Sequence, residues 1–546
     1  MKKGDLIKGT VTETHFPDRG TVVAEGKKIR VKGVLPGQEV LFRLKKNGAE
    51  KAEGELKEVL TPSADETETP RCPQFGLCGG CALQTLPYEK QLSLKESHIR
   101  KLLAPVIRSD DAEFLPILGS PKPYEYRNKM EFSFGDEYKD GPMMLGLHKK
   151  HSMFDIVPAS HCAIVHPDVQ QIIATVRDAA VRSCIDFYHR STGKGYYRHL
   201  LVRRAEKTGE ILVDIITSTQ VEYDFSSILD ELLSLSLEGR IVGILHTVND
   251  SVADVIRDDG TEILFGRDWF YEDLLDLRFK VSPFSFFQTN SGGAEVLYSA
   301  VRDMVGETRD KVLFDLYSGT GTIGQILAPV AKKVVGIEII DEAVVAARDN
   351  AKRNGLTNCE FLSGDVLKML DEVTDRPDII VLDPPREGIN PKALTKIIAY
   401  GVDRIIYISC KPTSLATDLG PLQDAGYVVK QVQPVDMFPQ TPHVETVALL
   451  SKLSEAKHFV NVKVEMDEMD VTCAESKATY REIAEWVQEN YGLHVSNLSI
   501  AQVKQKYGFI ERENYNKPKS QDSKQPGTSD MRIKAIEEAM RHFQMI

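Results

Sequence analysis

The stretch KVLFDLYSGTGTIG, residues 311–324, decides the fold. An apolar run through Leu316 stops at a glycine-rich turn, and Gly319, Gly321 and Gly324 fall in the spacing G-x-G-x-x-G. A strand that empties into such a turn and opens a helix is the start of a βαβ unit. Working outward, KKVVGIE (332–338), PDIIVLD (377–383) and RIIYISC (404–410) are further apolar runs, each separated from the next by a helical stretch. That alternation predicts a largely parallel, doubly covered sheet of the Rossmann-like α/β class.

The glycine loop alone suits any adenosine-bearing cofactor. Glu338, at the end of the next strand, is the acid expected to hold ribose hydroxyls. Asp365 in FLSGD follows the third strand, where an adenine amino group could be held. No second nucleotide-binding half follows, which favours S-adenosylmethionine over a dinucleotide. At the fourth strand VLDPPREG places Asp383 before two prolines, a rigid loop. Amino-methyltransferases carry an aromatic after a similar acid-Pro-Pro; here Arg386 stands in that place. At the fifth strand Cys410 sits in ISCKP, where reactive groups of α/β folds gather.

The remainder divides by composition. Residues 1–60 read as short alternating strands with glycine breaks, a small OB-like β-barrel. They carry 13 Lys and Arg against 9 Asp and Glu in a chain of net charge -12, a local basic surface suited to nucleic acid. TPSADETETP (61–70) is an acidic linker, and 61–280 is a mixed α/β segment without a clean repeat. In RCPQFGLCGGC, Cys72, Cys78 and Cys81 are spaced C-x5-C-x2-C, with Cys162 in HCAIVHP as a fourth donor and His161 as its rival. Thiolates in that number select iron–sulfur or zinc. Cys184, Cys359 and Cys473 stand alone and read as structural. Residues 454–546 form a helical extension: a helix opened by Thr479-x-x-Glu482 and closed at Gly492, a second over about 497–507, and a last over roughly 530–543. No run is apolar enough for a bilayer and no signal peptide is evident, so the expectation is a cytoplasmic protein without membrane attachment or an obligate protein partner.

CPQFGLCGGC with Cys162, YRNKMEFSF, FFQTN, DLYSGTGTIG, VLDPPREG, ISCKP and FPQTPHVETV occur in order across 1–453. In this the chain resembles the uracil-5 RNA methyltransferases of the iron–sulfur, ribosomal-RNA type, with residues 1–60 similar to a TRAM module. The resemblance implies a Rossmann-like methyltransferase domain over 281–453, preceded by a central domain over 61–280. It implies a 4Fe-4S cluster on Cys72, Cys78, Cys81 and Cys162. S-adenosylmethionine contacts would come from Gln288, Tyr317, Glu338, Asp365 and Asp383. Cys410 would be the nucleophile, Glu445 the general base, and 23S ribosomal RNA the substrate. Thr322 stands where some members carry Asn, and SCKP where SCNP is common. Two rivals are a transfer-RNA uracil-5 methyltransferase and a non-catalytic iron–sulfur RNA-binding factor. An NAD-dependent oxidoreductase rests on the glycine loop alone. A nucleophilic thiol needs a lowered pKa, for which Lys411 and the helix after Pro412 are the sequence candidates. Phe284, Phe286 and Phe287 are candidates to stack on a base.

Overall fold

The computed structural model describes residues 1–48, 52–152, 154–251, 255–306 and 308–452, and further on 480–491, 493, 495, 497–506 and 530–542. Two compact units are present, Met1–Glu455 and Ala456–Ile546.

In the first unit, β1 (Leu6–His15), β2 (Arg19–Ala24), β3 (Lys27–Lys32), β4 (Glu39–Asn47) and β5 (Ala52–Thr61) close a barrel in the order β1-β2-β3-β5-β4. Their alternation does this directly: Val22, Ile29, Val31, Val40, Phe42 and Leu44 point inward and their polar neighbours outward. The fifth strand runs one residue into the expected linker.

Helix α1 (Tyr88–Leu103) and the two-residue strand β6 (Glu113–Phe114) follow. A seven-stranded sheet is then built from β7 (Lys129–Asp136), β8 (Met143–His148), β9 (Ile156–Pro158), β10 (Tyr197–Arg204), β11 (Glu210–Thr217), β12 (Arg240–Val248) and β13 (Thr261–Gly266), in the order β13-β12-β11-β10-β7-β8-β9. Helices α2 (Pro167–Arg182) and α3 (Ser226–Leu233) lie within this segment. Strand β10, YRHLLVRR, is buried at all eight positions. Buried guanidiniums need partners. Arg204 Nε donates to Asp168 at 2.9 Å, and Arg203 donates to the carbonyls of Pro283 and Ser285. Arg203 thereby pins the loop that carries the candidate stacking aromatics.

A ribbon, β14 (Phe270–Leu274) and β15 (Leu277–Val281), leads to α4 (Ser291–Val305) and the parallel array read from sequence. That array comprises β16 (Thr308–Leu316), α5 (Thr322–Leu327), β17 (Ala331–Glu338), α6 (Asp341–Arg353), β18 (Cys359–Ser363), α7 (Val366–Glu372), β19 (Ile379–Leu382), α8 (Pro391–Ala399), β20 (Arg404–Ser409) and α9 (Pro412–Asp424). An antiparallel hairpin, β21 (Tyr427–Val435) and β22 (Glu445–Lys452), completes the sheet β18-β17-β16-β19-β20-β22-β21-β6. The parallel strands are continuous apolar runs because both faces are covered; Ile379–Leu382 is buried throughout. Strand β6 and helix α1, which lies against α9, come from the segment expected to be a separate central domain, yet they belong to this layer.

In the second unit, α10 (Tyr480–Tyr491), α11 (Asn497–Lys506) and α12 (Asp530–His542) share an apolar core around Ile483, Val487, Ile500 and Ile536. The expected boundary residues Thr479 and Gly492, and Cys473, lie outside the described residues.

Candidate active site

The site gathers at the carboxyl ends of the parallel strands. At the end of β16, Tyr317 adopts φ 66° and the chain turns through Ser318–Gly321 into α5. Gly321 is also left-handed, and a Cβ there would stand 2.6 Å from the Phe361 ring, so only glycine fits. Glu338, the last residue of β17, accepts hydrogen bonds from the amides of Gly319 (3.0 Å) and Ile340 (3.0 Å). The two amides fix its carboxylate beside the glycine turn. Asp365 is exposed at the start of α7, and its charge is one cause that keeps the Tyr317 phenol high, at about 12, after burial. Thr322 is buried and bonded to Thr320. Asp315, which was not singled out from sequence, is buried beneath the turn. It accepts from Gly324 N at 2.8 Å, and burial raises its carboxyl to about 7.

The FFQTN segment is held from both sides. Asn128 donates to the carbonyl of Gln288 at 2.9 Å, and Asn290 caps α4 while donating to Met437 O and Ser120 Oγ. Gln288 contacts the Tyr298 phenol, which also feels Asp383. The three phenylalanines separate: Phe287 is core, whereas Phe284 and Phe286 are 37% and 66% exposed, with Phe286 at the glycine turn.

Cys410, Asp383, Arg386 and Glu445 meet in one cluster. The loop after β19 is fastened to α9. Asp418 accepts from Ile389 N (2.9 Å) and Tyr407 OH (2.6 Å), and Ser414 Oγ donates to Arg386 O (2.7 Å). Gly388, at φ 86°, allows the close pass over Asp418, since a Cβ there would stand 2.9 Å from its carboxylate. This sets the Arg386 side chain against Cys410. Glu445 is the first residue of β22, opposite Val435 of β21, and 4% exposed. Its carboxyl is raised to about 8, by burial first and by Asp383 second, with Arg386 opposing. Asp383, half-buried at the strand end, is raised to about 7 by burial.

The thiol departs from the sequence expectation. Burial, then Glu445 and Asp383, push Cys410 up to about 11 rather than down. Arg386 is the cation that opposes this, whereas Lys411 is exposed. Sequence offered no signal for it, because Arg386 and Cys410 come together only when two strand ends sit side by side.

The four cluster cysteines are brought into one neighbourhood. Cys72 and Cys162 are buried, and Cys72 N donates to Gln84 Oε1 at 3.0 Å. Burial raises Cys81 to about 12 and Cys162 to about 11, and proximity to the other thiols adds to both. Among the described residues no three His, Cys, Asp or Glu side chains are drawn tightly enough to be a ready metal-holding group. Cys184, read as structural, is instead exposed, while Cys359 is half-buried at the start of β18.

Residues 87–453 match the family model described as tRNA (uracil-5-)-methyltransferase. An uncharacterized RNA methyltransferase of Clostridium tetani is 48% identical over 452 residues, covering 83% of this chain and 99% of its own length. One from Geobacter sulfurreducens is 36% identical over 456 residues, covering 83% and 91%. The crystal structure of Pyrococcus abyssi tRNA (uracil-54, C5)-methyltransferase in complex with S-adenosyl-L-homocysteine superposes with a TM-score of 0.63 at 26% identity. It covers 81% of this chain and all of that one. Among the described residues no helix is long and apolar enough to cross a membrane.

Proposed function

The chain belongs to the tRNA (uracil-5-)-methyltransferase family, and from that premise we propose that it methylates carbon 5 of a uridine in 23S ribosomal RNA through a transient bond between Cys410 and the ring. The observation that carries the mechanism is the meeting of one thiol, two high-pKa carboxyls and one guanidinium at adjacent strand ends.

Carbon 5 of uracil is a weak nucleophile. The Cys410 thiolate adds at carbon 6, and the ring's electron pair moves onto the carbonyl oxygen at carbon 4. Carbon 5 then takes the methyl, with Arg386 offsetting the anionic charge in the cluster. S-adenosylmethionine supplies that methyl as an electrophile on a sulfonium sulfur. The residues that would hold it are Gln288, Tyr317, Glu338, Asp365 and Asp383. They fit because the glycine turn has no side chain in its cradle and Glu338 is already fixed beside it. Glu445 removes the proton from carbon 5, the double bond reforms, and the carbon–sulfur bond breaks with its pair on sulfur. A carboxyl near 8 is matched to that task near neutral pH. Phe284 and Phe286 offer exposed faces for a base taken out of the stack.

For the cysteine loop we propose a 4Fe-4S cluster on Cys72, Cys78, Cys81 and Cys162. The donor set is soft, and buried thiols of raised pKa gain most from a metal that deprotonates them. Gln84 Nε2, buried without a hydrogen-bond partner, stands near Cys81 as a donor toward sulfur. The cluster would cross-link the loop to the 162 segment.

The basic barrel, as a TRAM-like module, and the cysteine loop support ribosomal RNA. A transfer-RNA substrate is the second reading, because the likeness to the Pyrococcus abyssi enzyme reaches beyond 87–453. Mapping 5-methyluridine in both RNA classes from a strain lacking the protein separates the two. Loss confined to 23S ribosomal RNA is expected; loss confined to transfer RNA would overturn that substrate. Glu445→Gln is expected to accumulate a denaturation-resistant protein–RNA adduct, and normal turnover without adduct would remove Glu445 as the base.

A further inference from the structure

The nine-residue loop 436–444 joins β21 to β22 and ends where Glu445 begins. Gln440, in its middle, is 1% exposed and left-handed at φ 68°. A non-glycine residue in that region is strained and persists where its surroundings over-determine it. Here they do. Gln440 N donates to Gln91 Oε1 (3.0 Å), and Gln440 Oε1 accepts from Gln91 Nε2 (3.0 Å). Gln440 Nε2 donates to Pro123 O at 3.2 Å. Its carbonyl accepts from the amides of Ala82 (2.8 Å) and Leu83 (3.0 Å), the two residues directly after Cys81. The neighbouring Pro439 carbonyl accepts from Tyr126 OH at 3.0 Å. At the loop's other end, the buried Lys95 ammonium bonds Asp436 (2.6 Å) and Phe438 O (3.0 Å).

One residue, through its side chain and its main chain together, thus joins three parts of the chain: helix α1, the cysteine loop and the loop that leads into Glu445. We propose that Gln440 is a positioning residue that sets Glu445 against the substrate ring, and that through its carbonyl the cysteine loop is mechanically tied to proton removal. This rests on the reading of Glu445 as the base. Sub-ångström displacement of a proton acceptor slows its transfer steeply. The thiol sits between β20 and α9, and the hydrogen bonds of Gln440 reach α1, Pro123 and the cysteine loop rather than either of these elements. Loosening Gln440 therefore separates the two halves of the reaction: addition of Cys410 proceeds, and collapse of the adduct is delayed.

The test uses the full chain, S-adenosylmethionine, and RNA isolated from a strain lacking the protein. Rapid-quench sampling follows the denaturation-resistant adduct in Gln440→Ala and Gln91→Ala, with Glu445→Gln alongside. For both glutamine variants, adduct collapse is expected to slow about tenfold and the steady-state adduct to rise correspondingly. Adduct formation and S-adenosylmethionine affinity are expected to stay within about twofold. Gln440→Asn, tolerated at positive φ, removes only the side chain's reach to Gln91 Nε2 and Pro123 O, keeps the backbone bond to Gln91 Oε1, and serves if the alanine variant fails to fold. Wild-type collapse rates beside a trapped Glu445→Gln adduct would overturn the positioning role. So would a parallel fall in formation, cofactor affinity and melting temperature, which marks general damage. No adduct from Glu445→Gln would instead overturn the base assignment itself.

Discussion

Alkylation of Cys410 in the free protein is expected to rise tenfold per pH unit up to about pH 11, far past the range of an ordinary thiol. Burial and the nearby Glu445 and Asp383 carboxyls raise the thiol from 9.0 to about 11. At pH 7 that leaves roughly one molecule in ten thousand as thiolate, against about one in a hundred at the unshifted value, so alkylation should be ~100-fold slower than for a solvated cysteine. Arg386 is the cation that opposes the rise. The pair is partly solvated, so removing it costs about 1 kcal/mol, and Arg386→Gln should slow alkylation a further ~5-fold. The assay is iodoacetamide labelling between pH 6 and 11, read peptide by peptide by mass spectrometry so that exposed Cys184 does not mask the signal. A plateau at pH 8–9, or faster labelling of Arg386→Gln, would refute the reasoning. A larger loss in Lys411→Gln than in Arg386→Gln would return the role to the lysine. If the outcome holds, the thiol is inert at rest and becomes a nucleophile only as the RNA and methyl donor assemble around it.

Three further outcomes follow from the same structure. The folded pKa of Asp315 lies near 7, above its unfolded 3.8, so the group is most favourable to stability below pH 4 and its contribution is lost as pH rises to 7. Asp315→Asn, which keeps an acceptor for Gly324 N, should therefore gain melting temperature relative to the parent at pH 8 more than at pH 5; an equal difference at both would contradict the buried-acid account. Phe286→Ala should weaken RNA binding by about 1–3 kcal/mol with an unchanged melting temperature, checked by RNA titration at fixed salt, whereas unchanged affinity would remove it as a stacking surface. A chain ending at residue 455 should methylate the same uridine as the full chain, because relatives spanning about 452 residues match without the extension. Loss of methylation on that truncation, assayed by mass spectrometry of digested RNA, would make the helical unit part of the enzyme.

Much of this protein was legible one residue after another. The G-x-G-x-x-G turn, Glu338, Asp365, Asp383 and Cys410 each close a strand whose apolar run ends at a polar or glycine signal. Local spacing encodes that punctuation. Barrel strands β2, β3 and β4 were equally readable, since alternation with period two is a local property. What could not be read was partnership across long stretches of chain. Gln440 meets Gln91 across 349 positions and Lys95 meets Asp436 across 341. No periodicity carries that information. Electrostatics failed for the same reason. Sequence put Lys411 beside the thiol because it is next in the chain, but a pKa is set by whatever lies within a few ångströms in space. The strand order placed the loop after β19 against the end of β20, and so gave Cys410 the guanidinium of Arg386 and two carboxyls as neighbours. Covalent order determined which strands, turns and reactive side chains exist. Tertiary packing alone decided which charges share a low-dielectric space, and that decides when the thiol can react.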